Sequence, residues 1–344
     1  MASKQQPQPA HRPTVARIEP AAAITGGELH IRGQYFAANG RPLVKLGTQT
    51  AHLVIAGDSY IIARVPESAG VSEVSVSSGA AESDLCATHL GVQIADSLHP
   101  VANPAVDAEG NIYSTFSGSR GQKSPVSIYK IDHNYNSKPF VTDLMNPTGL
   151  AFDREGLLYA SSRYDGIIYQ ITPTGSMSVY AEGMGVATGI AFDREGNLYV
   201  GDRSGTVFKI SRSRQIYVFA TLEPSIAAYH LAFGPEDYLY LTGPTTSSFD
   251  VIHRISKAGE VEVFFRGIGR PQGVAFDAKG RLYVAGSIAG RRGIIRINDA
   301  REPEYFLSGP GIVGLAFTPA RGMVVATQSA LFRVDVEIAG WPLP

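Results

Sequence analysis

A short apolar phrase occurs six times in this chain, and two residues stand where it usually carries glycine: Asn103 in the first copy and His230 in the fourth. An imidazole can take up and return a proton near neutral pH, and an amide can donate and accept at once. Beside them, the position just before that glycine holds Ala102, Thr148, Thr188, Tyr229, Gln272 and Val313. Asn103, Thr148, Thr188, Tyr229, His230 and Gln272 are therefore the candidate ligand-binding residues. Two readings stay open for Asn103 and His230. They present amide and imidazole to one ligand, or they are polar fillers satisfied by water, since a lone His lacks the partners of a catalytic base.

The phrase reads Asn103-Pro-Ala-Val-Asp107, Gly149-Leu-Ala-Phe-Asp153 and Gly189-Ile-Ala-Phe-Asp193. It returns as His230-Leu-Ala-Phe-Gly234, Gly273-Val-Ala-Phe-Asp277 and Gly314-Leu-Ala-Phe-Thr318. Its anchors Val106, Phe152, Phe192, Phe233, Phe276 and Phe317 are 40 to 46 residues apart. That is the period of one four-stranded β-propeller blade. In the third copy, Arg194-Glu-Gly196 supplies a turn before Asn197-Leu-Tyr-Val200, Thr206–Ile210 forms a third strand and Gln215–Ala220 a fourth. The recurrent Asp107, Asp153, Asp193 and Asp277 end first strands at hairpins and read as turn stabilisers. The sixth copy lacks a clear fourth strand, and Leu90–Asp96 is the candidate to supply it and close a ring of six blades. First and fourth blades then face each other across the channel, which places Asn103 opposite His230.

Loops between second and third strands open on the face of that glycine column. They carry Arg120, Lys123, Arg163, Asp165, Asp202, Arg203, Arg291 and Arg292, a basic rim suited to an anionic ligand or a partner protein. The loop from Phe116 to Pro125 is the longest and is expected to fold over the mouth.

Residues 14–87 lack the phrase but alternate apolar and polar residues over short, turn-separated runs, including Gly26–Gly33 and Val71–Val76. They predict a small β-sandwich. Residues 1–13 are polar and Pro-rich and read as a flexible tail. The fold class expected is all-β: a sandwich over 14–87, then a propeller over 88–344 closed by a strand at about 88–98. Net charge is −1, and the sandwich segment carries five basic against seven acidic residues, which argues against nucleic acid. Cys86 is the single cysteine, so no intrachain disulfide or cysteine metal cluster is available. No stretch is apolar enough to span a bilayer and no export signal is seen, so the cytoplasm is the expected location. No phosphate loop, zinc spacing or nucleophile elbow is present.

Ile18-Glu-Pro20, Gly26-Gly27, Ile31-Arg-Gly-Gln-Tyr-Phe36, Leu46-Gly47 and Ala63-Arg-Val-Pro66 resemble the IPT/TIG immunoglobulin-like module. The pattern Pro-x-Gly-x-Ala-Phe-Asp-x-x-Gly-x-Leu-Tyr-Val at 271–284 resembles the NHL and SMP-30/gluconolactonase-like six-bladed propellers. The second resemblance implies a divalent metal held by a Glu, an Asn and an Asp around the channel mouth. Here the Glu position is Ala102 and the Asp position Gln272, and no carboxylate remains in that column. The expectation is therefore a non-enzymatic binding or scaffold protein, engaging a small molecule or protein at the mouth, with no cofactor. The alternative is a hydrolase of lactones or esters with a rearranged site, and only that alternative calls for a divalent cation such as Ca²⁺.

Overall fold

The computed structural model describes residues 11–67, 73–246 and 250–342. Residues 1–10 of the Pro-rich tail and 71–72, where an expected strand begins, lie outside them. Contacts group the chain into two compact units, one of residues 1–92 with 306–310 and one of 93–305 with 311–344. Among the described residues the only helix is a three-residue 3₁₀ turn, Pro235–Asp237, and no helix is long and apolar enough to cross a membrane.

In the first unit one sheet orders Thr14–Glu19, Glu28–Gln34, Tyr60–Arg64 and His52–Ala56. The other orders Cys86–Ala87, Glu73–Ser78, Pro42–Leu46 and Gln49–Thr50. Alternation does the sorting. In Glu28–Gln34 the apolar Leu29 and Ile31 turn inward and pair in register with Ala63 and Ile61. They join Phe36, Val44, Val74 and Val76 in one buried core. Gly33 is required there, because a Cβ would collide with the Thr14 carbonyl and the Phe36 ring.

The second unit is built from antiparallel meanders. Ala105–Val106, Ile112–Thr115, Ile128–Ile131 and Ser137–Val141 form the first. The next three begin at Pro147–Phe152, Ala187–Phe192 and His230–Phe233, each with three further strands in sequence order. Val274–Phe276, Leu282–Ile288 and Arg291–Ile297 continue the pattern. In the last sheet Val92–Ala95 lies beside Leu331–Val334, then Met323–Thr327 and Ile312–Phe317. Ile94 and Leu98 share a core with Val324 and Leu331 of the last repeat and with Val106 and Ile112 of the first. The first strand of each repeat lies against those of the repeats before and after it, and Ile312–Phe317 returns to Ala105–Val106. This is the architecture of a β-propeller.

The constant columns explain the joints. Tyr113, Tyr159, Tyr199, Tyr240 and Tyr283 each meet edge-on the Phe that anchors the following repeat. The recurrent Asp holds its hairpin. Asp193 Oδ1 accepts from the N–H groups of Glu195 (2.9 Å) and Asn197 (2.8 Å), and Oδ2 accepts from the Tyr199 hydroxyl at 3.2 Å. Gly234 replaces the Asp in the fourth repeat, where the hairpin uses the 3₁₀ turn and Asp237 pairs instead with Lys257 at 3.0 Å.

Candidate functional site

The glycine column marks where neighbouring first strands touch backbone to backbone. A Cβ on Gly189 would strike the Tyr229 carbonyl, and one on Gly314 would strike Ala102. Most expected site residues in this tier are engaged with the ring itself. Asn103 donates from Nδ2 to the Val274 carbonyl at 2.7 Å and accepts at Oδ1 from the Leu315 N–H at 3.1 Å, so it stitches its strand to the fifth and sixth repeats. Thr148 donates to the Asn146 carbonyl at 3.3 Å. Thr188 donates to the Gly201 carbonyl at 2.8 Å and accepts from the Tyr229 N–H at 3.1 Å. The Tyr229 hydroxyl donates to the Glu223 carbonyl, and Gln272 Oε1 accepts from Arg292 at 3.5 Å. One Asn103 amide hydrogen and its oxygen are thus taken by Val274 and Leu315.

His230 differs from the rest. It is 3% exposed, and among the described residues its ring has no hydrogen-bond partner. Burial alone pulls its pKa to about 4, so it is neutral at pH 7. A neutral imidazole without a protein partner keeps one nitrogen as an unused acceptor.

The rim divides. Lys123 is drawn off to Asp143 at 2.9 Å, and the Asp202 carboxylate accepts from the Val186 N–H at 2.8 Å and from the Ser204 hydroxyl. Arg291 stacks on Tyr305, its guanidinium carbon 4.8 Å from the ring centroid. Among the described residues Arg120, Arg163, Arg203, Arg291 and Arg292 form no ion pair. Arg163 donates to the Gly118 carbonyl at 2.7 Å, and Arg203 to the Ile226 carbonyl at 3.0 Å. Burial, then the charges of Arg203 and Arg120, hold the Arg163 guanidinium below its ordinary value, so the three cations feel one another's charge. The long loop is tied to this cluster: Asn146 accepts from the Gly121 N–H at 2.7 Å and donates to the Gly118 and Ser119 carbonyls, both at 3.0 Å. Arg292 is held low in the same way, by burial and then by Arg270.

Sequence reasoning missed the cavity lined by the first strands. It measures about 480 Å³ and is ringed by Ala105, Ala151, Ala191, Ala232, Ala275 and Ala316, with Asn103 at its inner end. The signal was an alanine in all six copies of the phrase. Beside its outer end runs a C-terminal segment held by backbone hydrogen bonds, from the Trp341 N–H to the Phe276 carbonyl (2.9 Å) and the Ala278 N–H to the Ala339 carbonyl (2.8 Å). The Arg194 guanidinium carbon lies 5.3 Å from the centroid of the Trp341 ring, which also lines the cavity.

A divalent cation of the gluconolactonase kind does not fit the tier around His230. Ala102, Thr148, Thr188, Tyr229, Gln272 and Val313 offer no carboxylate. Among the described residues no group of three His, Cys, Asp or Glu is placed to hold a metal.

No protein-family profile matches the chain, and no curated protein matches it. Solved structures do. A gluconolactonase from Xanthomonas campestris is 15% identical with a TM-score of 0.59, covering 75% of this chain and 90% of its own. An auxiliary nutrient binding protein from Bacteroides thetaiotaomicron is 12% identical with a TM-score of 0.56, covering 95% and 99%. A virginiamycin B lyase from Staphylococcus aureus, a catalytically inactive His-to-Ala variant with quinupristin, is 14% identical with a TM-score of 0.52, covering 94% of each. The expectation of a non-enzymatic binding or scaffold protein is corrected: a gluconolactonase and a virginiamycin B lyase stand among these neighbours, and the gluconolactonase backs the alternative, a lactone or ester hydrolase, better than the main reading. At these identities the likeness is one of fold, and that fold is the β-propeller of the gluconolactonase-like and related proteins.

Proposed function

We propose that the chain is a hydrolase of lactones or related cyclic esters, with His230 as its base and Arg120, Arg163 and Arg203 receiving an anionic group on the substrate. The observation that carries this reading is the buried, neutral, unpartnered imidazole in a tier where the neighbouring polar side chains are engaged. His230 takes a proton from water as the oxygen attacks the ester carbonyl, and returns it to the ring oxygen as the C–O bond breaks. Lactone and water give a hydroxy acid, and the imidazole ends as it began. The low pKa weakens the base but makes the imidazolium a strong acid for the departing alkoxide. The donor set does not fit a dication, so no step is assigned to one.

We read the repeats as six blades with Val92–Ala95 completing the last, supported by the cyclic contacts of the first strands. We read residues 14–87 as an IPT/TIG sandwich, supported by two sheets around one core. The test is hydrolysis of γ- and δ-lactones, with and without a carboxylate substituent, by wild type and His230→Ala, each with chelator and with added Ca²⁺. Turnover that survives chelator and is lost in His230→Ala supports the reading. No turnover across the panel, or turnover indifferent to His230, overturns it.

A further inference from the structure

We propose that the cavity ringed by the six alanines is a binding site for one compact, uncharged, largely apolar molecule carrying a single acceptor oxygen, capped by Trp341. His230 is not among the residues that line it, and the proposal does not depend on the catalytic reading.

The hollow is a property of side-chain size. In five copies the phrase places Leu, Ile or Val before the alanine and Phe after it, and in the first Pro104 and Val106 flank Ala105; all six alanines line the hollow. Protein interiors are packed almost without voids, whereas ligand cavities run from about 300 to 1,000 Å³ and have mainly apolar walls. At about 480 Å³ this one falls within that range.

The charged groups at its outer end are already matched. Both Asp107 oxygens are taken, Oδ1 by the N–H groups of Glu109 (3.0 Å) and Asn111 (2.8 Å), Oδ2 by Asn111 Nδ2 (2.8 Å) and the Tyr113 hydroxyl (3.1 Å). Arg194 is 3.8 Å from Asp237, which also pairs with Lys257 at 3.0 Å. Nothing there calls for an ion. At the inner end Asn103 gives one amide hydrogen to Val274 and keeps one, which suits one carbonyl or ether oxygen. Trp341 is the chain's single tryptophan, so its emission reports on this cavity.

The probe is prodan, an uncharged naphthyl ketone that absorbs where tryptophan emits. Saturable one-to-one binding is expected, with quenching of Trp341 and a blue shift of the dye. In the double variant Ala191→Leu and Ala275→Leu, which fills the hollow, affinity should fall by about tenfold or more. Val218→Ser, on an exposed outer strand, should leave it unchanged. If the double variant does not fold, Ala232→Val is read instead and should weaken binding while unfolding cooperatively. Absence of saturable binding, binding unaffected by the filled cavity, or equal affinity for a carboxylated naphthalene would overturn the proposal.

Discussion

Tyr240 and Phe276 belong to successive repeats and meet edge to face, ring centroids 4.7 Å apart at 66°. Both are almost fully buried, and the same pairing recurs around the propeller. Phe276→Ala should cost about 3–5 kcal/mol, and Tyr240→Leu with Phe276→Leu should show a coupling of about 0.5–1.5 kcal/mol in a double-mutant cycle. Additive losses in urea unfolding would mean that the rings contribute area alone.

Asp193 is buried and accepts from two backbone N–H groups, the Asn197 amide and the Tyr199 hydroxyl. Asp193→Ala strands these donors and should destabilise by about 1–3 kcal/mol. Tyr199→Phe removes one donor along with its hydrogen bond and should cost less. Thermal unfolding of the two variants gives the order directly.

Burial sets His230 near 4, against an ordinary 6.5 in the unfolded chain. Between these values the unfolded state binds a proton that the native state refuses, so the contribution is fully present above pH 6.5 and is lost as pH falls toward 4. The loss is about 3 kcal/mol at most. His230→Gln should flatten this part of the stability profile. A variant as acid-sensitive as wild type would place the sensitivity elsewhere.

Arg163 lies among cations with no acidic partner, so an anionic substrate should feel its removal most. Arg163→Gln should raise KM for a carboxylated lactone by about tenfold, leave kcat nearly unchanged and leave a neutral lactone unaffected. Added salt should reproduce part of the effect in wild type. Equal losses on both substrates would assign Arg163 to holding the 116–125 loop through Gly118.

The repeat made much of the second unit legible, because each copy carries its strand, its Asp turn and its aromatic joint within about forty residues. The site was only partly legible. Asn103 and His230 were singled out by breaking a column. What separates them is an amide bonded to Val274 and Leu315, 171 and 212 residues away, which no local pattern reveals. Lys123 and Arg163 look alike in sequence, yet a nearby Asp143 neutralises one and spares the other. The alanines are visible in every copy, but a small residue beside a large one gives no hint of an empty side.

Val92–Ala95 lies beside Leu331–Val334 in the last sheet. During synthesis the first of these segments leaves the ribosome long before the second exists. At roughly 5–20 residues per second it waits on the order of tens of seconds with an unmatched edge. Until the final repeat is translated Val92–Ala95 has no partner strand, so a stall late in translation leaves that edge exposed.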